Sequence, residues 1–366
     1  MATTLLHESS PDLGFEFRQA PCADDLVGRY RTLIRDHRLA WTTHYQLGRI
    51  LGSGGQGVVY FGHRVGADGF LLPVALKLFT PQLYLDAADY ESDMRGIAST
   101  AARVAQIQHD HLVDVHNFVD SGGIRIMVME WIDGYDLKRL LTQETLNKSR
   151  HCASEERWNH LSKVIVGSGP AQPLLKPGVA IQIIRECLAG LAALHRAGVV
   201  HGDVKPANIM LKRTGNAKII DMGSAIDLAA KSRRRLWTPA YVAPEVLRGA
   251  ESSQQSDIAS LGYVLIEMLS GQPLFARIVD TSELLEAKRK LSQHLPRVLP
   301  PDVACNKLLL GLCRRLIEPD PARRIQSAEA ANLDHEGAAE FHRQLVKGGL
   351  ASEYENDIRV WLERLP

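Results

Sequence analysis

The sequence predicts an α+β fold in two lobes, strand-rich first and mainly helical afterwards. Three observations lead there. Strand-like apolar runs with one helical stretch among them fill the chain up to Asp133-Gly134, and beyond that connector nearly every periodic segment is helical. Two apolar runs, Ile50-Leu51 and Val58-Val59-Tyr60-Phe61, flank the turn Gly52-Ser53-Gly54-Gly55-Gln56-Gly57, which is the pattern of a hairpin. Asp203, Lys205 and Asn208 share a short turn between Val199-Val200 and Ile209-Met210-Leu211, so two buried strands can fix three polar side chains toward one point. One carboxylate, one ammonium and one amide converging there suit phosphoryl transfer between an oxygen nucleophile and a metal-bound nucleotide.

The 366 residues are enough for one large two-lobed unit, and 45% hydrophobic with 23% charged residues is a globular composition. Lys plus Arg is 43 against 42 for Asp plus Glu, so nothing in the charge favours nucleic acid as the main ligand. Cys22, Cys152, Cys187, Cys305 and Cys313 are scattered without a CxxC pair, which reads as reduced thiols. The start has no basic, apolar leader pattern, and the apolar stretch 258–269 carries Ser260 and Glu267 and is too short to span a bilayer. A cytoplasmic protein without membrane contact is expected.

In chain order, 1–22 read as irregular. Leu26, Tyr30, Leu33, His37 and Trp41 fall at helical spacing behind Asp24-Asp25, and a helix packed on the following domain is expected. The glycines of the hairpin let backbone amides approach phosphate oxygens. A strand, not a helix, follows them, which disfavours a dinucleotide fingerprint. Lys77 stands inside the apolar strand Val74-Ala75-Leu76-Lys77-Leu78-Phe79; in isolation it would be an edge or snorkelling residue, but after a glycine hairpin it is placed to reach phosphates. A helix is predicted over 86–108 with a disturbance near Gly96, then strands over 112–118 and 124–129. Residues 148–178 are polar and rich in Gly and Pro and read as a mobile surface insertion. A helix over 179–197 leads into the catalytic turn, and Asp221 closes the strand Lys218-Ile219-Ile220 ahead of Met222-Gly223, where a carboxylate can face a metal. Phe341, Leu345 and Val346 suggest one closing helix, and Ile358, Val360, Trp361 and Leu362 another. The predicted division is an extension 1–44, a first lobe 45–132, a second lobe 133–334 and a helical extension 335–366.

From about Tyr45 to Ala331 these motifs resemble the eukaryotic-type (Hanks-type) serine/threonine protein kinases. The glycine loop, Val74-Ala75-Leu76-Lys77, His201 to Asn208, Asp221-Met222-Gly223, Ala243-Pro244-Glu245, Asp257, and Asp320-Pro321-Ala322-Arg323-Arg324 come in that family's order. The resemblance implies a bilobal kinase fold that uses ATP and Mg2+. Gly52, Ser53, Gly54, Gly55, Gln56 and Gly57 would cover the phosphates, Val59 and Ala75 would meet the adenine, and Lys77 would hold the α/β-phosphates. Met129 would back the adenine pocket, with Glu130 to Ile132 as hinge. Asp203 would orient or deprotonate the substrate hydroxyl, Lys205 would neutralise the γ-phosphate, and Asn208 and Asp221 would hold magnesium. Glu245 and Arg324 would form a structural ion pair. Lys205 with Thr238-Pro239-Ala240-Tyr241 implies serine/threonine acceptors in a protein substrate.

Three departures from the family pattern bear on function. Gly202 replaces the usual arginine partner of a phosphorylated activation segment, so activity without such phosphorylation is expected. His201-Gly202-Asp203 also resembles the loop of aminoglycoside- and choline-kinase-like enzymes, which makes a small-molecule kinase the alternative. Met222 replaces phenylalanine with another apolar, adaptable side chain. The helix glutamate expected to pair with Lys77 is missing: the family's offset lands on Thr100, and Glu91 would serve only if the helix were kinked or lengthened near Gly96; otherwise the lysine has another partner or the nucleotide-free state is inactive. That gap is where a catalytically weak scaffold gains a foothold. The basic run Lys231-Ser232-Arg233-Arg234-Arg235 predicts an acidic protein partner or substrate beside the active site.

Overall fold

Alternation along the first-lobe strands decides which residues face the site. In the computed structural model, which describes residues 23–36, 44–229, 237–347, 354–363 and 365, five strands form one antiparallel sheet. They are β1 (His44–Gly54), β2 (Gly57–Val65), β3 (Leu71–Phe79), β4 (Val115–Ser121) and β5 (Ile124–Glu130), in the order β1-β2-β3-β5-β4. Val74, Leu76 and Val128 are buried together on one face. Ala75, Lys77 and Phe79 therefore point to the other, where Phe79, Met127 and Met129 join the main core. The register sets Val59 opposite Lys77 and Ala75 opposite Met129. Gly57 makes the hairpin possible: its φ is 141°, and a Cβ there would lie 1.9 Å from the Leu78 carbonyl oxygen.

Helix α1 spans Ala23–Asp36 and α2 spans Ala87–Val104. Of the residues expected to pack α1 on the domain, Tyr30 and Leu33 are exposed, at 65% and 48%, and the side chain of Leu26 lies outside the described residues. His37 and Trp41 lie outside the described residues, as does the basic run at 231–235. Helix α2 is capped by Asp86, whose side chain accepts from the Asp89 N–H at 2.8 Å, and buries Tyr90, Met94, Ile97, Thr100, Ala101 and Val104. It continues unbroken past Gly96, so the expected disturbance there is corrected.

In the second lobe the helices Pro177–Arg196 and Gln254–Ser270 are buried on nearly every side. The first is the one described helix long and apolar enough to cross a membrane, and most of it is buried inside the lobe. Its Ile183, Ile184, Leu188, Leu191 and Leu194 are fully buried, each contributing roughly 1.5–3 kcal/mol relative to exposure. The insertion carries regular structure despite its polar, Gly- and Pro-rich composition. It folds as helices Gln143–Cys152 and Glu155–Val164 and the strand pair Val166–Gly167 with Leu174–Leu175. Its Gln172 reaches into the lobe, donating to Glu267 at 3.0 Å, while Tyr241 donates to the other Glu267 oxygen at 2.7 Å. The closing helices form as Ala338–Lys347 and Tyr354–Leu362. The second is tied to the insertion by Trp361 Nε1 donating to Ser149 Oγ at 2.9 Å.

Candidate active site

The turn at 201–208 is fixed from beneath by a single buried carboxylate. Asp257, 1% exposed at the start of the helix Gln254–Ser270, accepts from the backbone N–H groups of His201 at 2.8 Å and Gly202 at 2.9 Å, and pairs with His195 Nε2 at 2.9 Å. Charge-assisted bonds to otherwise orphaned amides hold the turn against the lobe. Gly202 has φ 77°, and a Cβ there would approach the Ser224 carbonyl oxygen to 3.0 Å, so a side chain at this position would be strained. His201 is wholly buried, with Nε2 3.0 Å from the Ile220 carbonyl oxygen, which joins the turn to the strand leading to Asp221.

Above this base the predicted polar groups converge. Asp203 Oδ2 accepts from Lys205 Nζ at 2.5 Å and Asn208 Nδ2 at 3.3 Å, while Oδ1 accepts from Thr238 N at 3.1 Å and Thr238 Oγ1 at 2.8 Å. Lys205 also donates to Thr238 Oγ1 at 2.9 Å. Asp203, Lys205 and Thr238 thus form a closed triangle that aims one carboxylate and one ammonium at the same point. Thr238 lies in the segment that Lys288 holds from below: its buried Nζ donates to Ala240 O at 2.7 Å and lies 4.0 Å from the Tyr263 ring centroid.

Lys77 Nζ, 4% exposed, donates to Asp221 Oδ1 and to Gln56 Oε1, both at 2.5 Å. Burial by itself pushes the Asp221 carboxyl up, but the Lys77 charge and hydrogen bond, with the Gly223 N–H, outweigh it and hold the pKa at about 2. With a folded-state pKa below the unfolded one, this group contributes stability above about pH 4 that is lost as pH falls through about 2. The stability difference between the metal-free protein and its Asp221→Asn variant is therefore expected to shrink as pH drops from 4 toward 2 in urea titrations. A difference that stays constant across that window would contradict the pairing.

Asn208 is 5% exposed and its Nδ2 donates to the Asp203 carbonyl oxygen at 2.8 Å, which leaves its amide oxygen as the free end. An ionised carboxylate and an amide oxygen are the hard donors magnesium takes, and the described residues hold no cluster of three or more His, Cys, Asp or Glu that would make an all-protein cage. The donor set fits a magnesium ion shared with phosphates.

Glu91 does not pair with Lys77. It is exposed near the start of α2, and Thr100, at the family's offset, is buried with Oγ1 donating to the Gly96 carbonyl oxygen at 3.1 Å. The Glu130 carboxylate accepts from Asp114 N at 2.7 Å and pairs with Lys218, so of the hinge role expected of this residue only its backbone is left. Met129 and Ile132 are buried, and Val59 and Ala75 are partly buried on the adjacent strands β2 and β3. The sequence reading missed His195 and Ser224, and it placed Asp257 among the family's motifs without the bonds it accepts; each of these contacts spans more than 50 residues, which no local pattern reveals.

The sheet, the helical lobe and the site between them define a protein kinase: a family model for the protein kinase domain matches residues 45–335, and the chain belongs to that family. Its relatives are bacterial Hanks-type enzymes. Serine/threonine-protein kinase PknD of Mycobacterium tuberculosis is 32% identical over 299 residues, covering 78% of this chain and 38% of that protein. Serine/threonine-protein kinase pkn2 of Myxococcus xanthus is 30% identical over 325 residues, covering 84% and 32%. PrkC of Bacillus subtilis is 26% identical over 303 residues, covering 82% and 41%. The chain spans less than half the length of these relatives.

Proposed function

We propose that this chain transfers the γ-phosphoryl group of ATP to serine or threonine of a protein substrate. The observation that carries the reading is the triangle of Asp203, Lys205 and Thr238, because it joins the catalytic carboxylate to the segment that would seat the acceptor. Asp203 holds and takes the proton of the incoming hydroxyl, and Lys205 offsets charge at the γ-phosphate. Lys77 holds the α/β-phosphates. Asn208 and Asp221 would hold magnesium, which would supply positive charge to offset that of the phosphates. Transfer from radiolabelled ATP with magnesium tests this, with protein mixtures, aminoglycosides and choline offered side by side. Label is expected in protein. Label in a small molecule would favour the alternative enzyme class, and no transfer at all, including to the chain itself, would favour a scaffold, the reading that the missing helix carboxylate supports.

Control without activation-segment phosphorylation belongs to the same proposal. Gly202 has no side chain to bind a phosphate, and its backbone N–H is already held by Asp257. Arg103 of α2 instead pairs with Asp227 at 2.5 Å and donates to Ala197 O at 2.6 Å, so helix and segment are joined by a bond that needs no phosphate. Phosphatase treatment, checked by mass spectrometry, is expected to leave activity within about twofold, since the bond that joins α2 to the segment among the described residues needs no phosphate; a large loss would sink the idea.

We further assign the basic run at 231–235 to an acidic substrate or partner. Replacing Arg233, Arg234 and Arg235 by alanine should weaken phosphorylation of the physiological substrate more than of a generic peptide. Equal effects on both would count against it. A cytoplasmic location is part of this proposal, resting on the need for ATP and on the free thiols of Cys152, Cys187, Cys305 and Cys313.

A further inference from the structure

Lys77 has lost the helix carboxylate that its family supplies, yet its ammonium is not left without a second acceptor. The glycine loop provides one. Gln56, at the tip of the hairpin between β1 and β2, is half-buried and folds inward, with Oε1 2.5 Å from Lys77 Nζ. Its Nε2 donates at 3.0 Å to Ser224 Oγ, in the turn just after Asp221-Met222-Gly223. The amide therefore bridges three elements, the loop, β3 and the metal-side turn, with both of its polar ends in use. Lys77 Nζ, Gln56 Oε1 and Asp221 Oδ1 close over Gly223, where a Cβ would lie 2.4, 2.6 and 3.1 Å from them respectively.

We propose that Gln56 is a positioning residue for Lys77, taking over from the loop the task that a glutamate on α2 performs elsewhere in the family, with Ser224 fixing which way the amide faces. Glutamine suits the task physically. A carbonyl oxygen accepts from the ammonium without adding a negative charge that would repel a triphosphate, and the amide N–H₂ gives the second anchor that a carboxylate lacks. The unbroken helix and the buried, hydroxyl-bearing Thr100 fit this arrangement, since no acidic residue is then needed on that face of α2. The inference rests on the nucleotide-binding reading and names a residue through which it works.

The test begins with the affinity of the wild-type chain for ATP and magnesium, and then compares Gln56→Met, Ser224→Ala and the double variant in KM for ATP, kcat and thermal midpoint. Methionine keeps the length of the side chain and removes both hydrogen bonds. Losing a hydrogen bond to a charged group should raise KM for ATP by about tenfold or more in Gln56→Met, at an unchanged thermal midpoint. Ser224→Ala should act in the same direction but less, and the double variant should be no worse than Gln56→Met alone, because the two residues act as one unit. A merely structural role would lower the midpoint and the active fraction while leaving KM where it was. A fall in KM on Gln56→Met would overturn the proposal, since it would mean that the glutamine occupies space the phosphates need. An unchanged KM, or an independent effect of Ser224→Ala added to that of Gln56→Met, would overturn it equally. Failure of the wild-type chain to bind ATP contradicts the nucleotide reading itself and this role with it, whereas binding that is indifferent to Gln56 contradicts the role alone.

Discussion

Asp203→Asn is expected to lower phosphoryl transfer by about 10²–10⁴-fold, the usual contribution of a positioned acid–base group, with little change in ATP affinity. The reason lies in the contacts. Asp203 receives hydrogen bonds from Lys205, Asn208 and Thr238 but makes none to the Lys77–Asp221–Gln56 group that would hold the nucleotide. An asparagine fills the same space and keeps an acceptor for Thr238, so the fold survives while the group that takes the hydroxyl proton is gone. Steady-state kinetics beside a nucleotide-binding titration separates the two quantities. A variant that kept more than about a tenth of the wild-type rate would remove Asp203 from the proton transfer.

The second large effect concerns the fold itself. Glu245→Ala is expected to destabilise the protein by about 3–5 kcal/mol in urea unfolding, because it strands a buried guanidinium. Arg324 is 1% exposed; Nη1 and Nη2 meet the two Glu245 oxygens at 2.7 and 2.9 Å, Nη1 also donates to Gln255 O, and Nε donates to Glu318 O. Two parallel bonds in a planar fork fix both geometry and charge. Glu245 lies in the short helix Pro244–Leu247 that directly follows the segment with Thr238, so the same pair anchors the acceptor side of the site. Removing both charges with Glu245→Gln and Arg324→Met should recover part of the loss, since the uncompensated charge and not the missing bond is the larger penalty. A loss below about 1 kcal/mol for Glu245→Ala would show that the guanidinium finds water or another partner.

Most of the fold was legible because periodicity and special residues pointed the same way. The glycine hairpin, the apolar strand that carries Lys77, the apolar helix ahead of the turn at 201–208 and the two closing helices all rest on local pattern, and all appear. Asp203, Lys205, Asn208 and Asp221 could be named because short motifs carry them. What escaped the sequence is non-local. The polar insertion at 148–178 looked loose from composition, yet Gln172 and Ser149 find partners far along the chain, on Glu267 and Trp361. The partner of Lys77 was sought on α2 because the family places it there; the sequence offered Gln56 as one more loop residue and gave no sign that its side chain folds inward to Ser224. Helix α1 shows the converse limit, for its spacing is amphipathic but its described side chains face outward.

The most direct test is the chemical identity of the labelled acceptor. The wild-type chain, incubated with radiolabelled ATP and magnesium and a protein mixture, should yield phosphoserine or phosphothreonine on acid hydrolysis, and the label should vanish with Asp203→Asn. Label recovered as phosphotyrosine, or only in a small molecule, would contradict the role given to Lys205 and Thr238 and with it the account of this site.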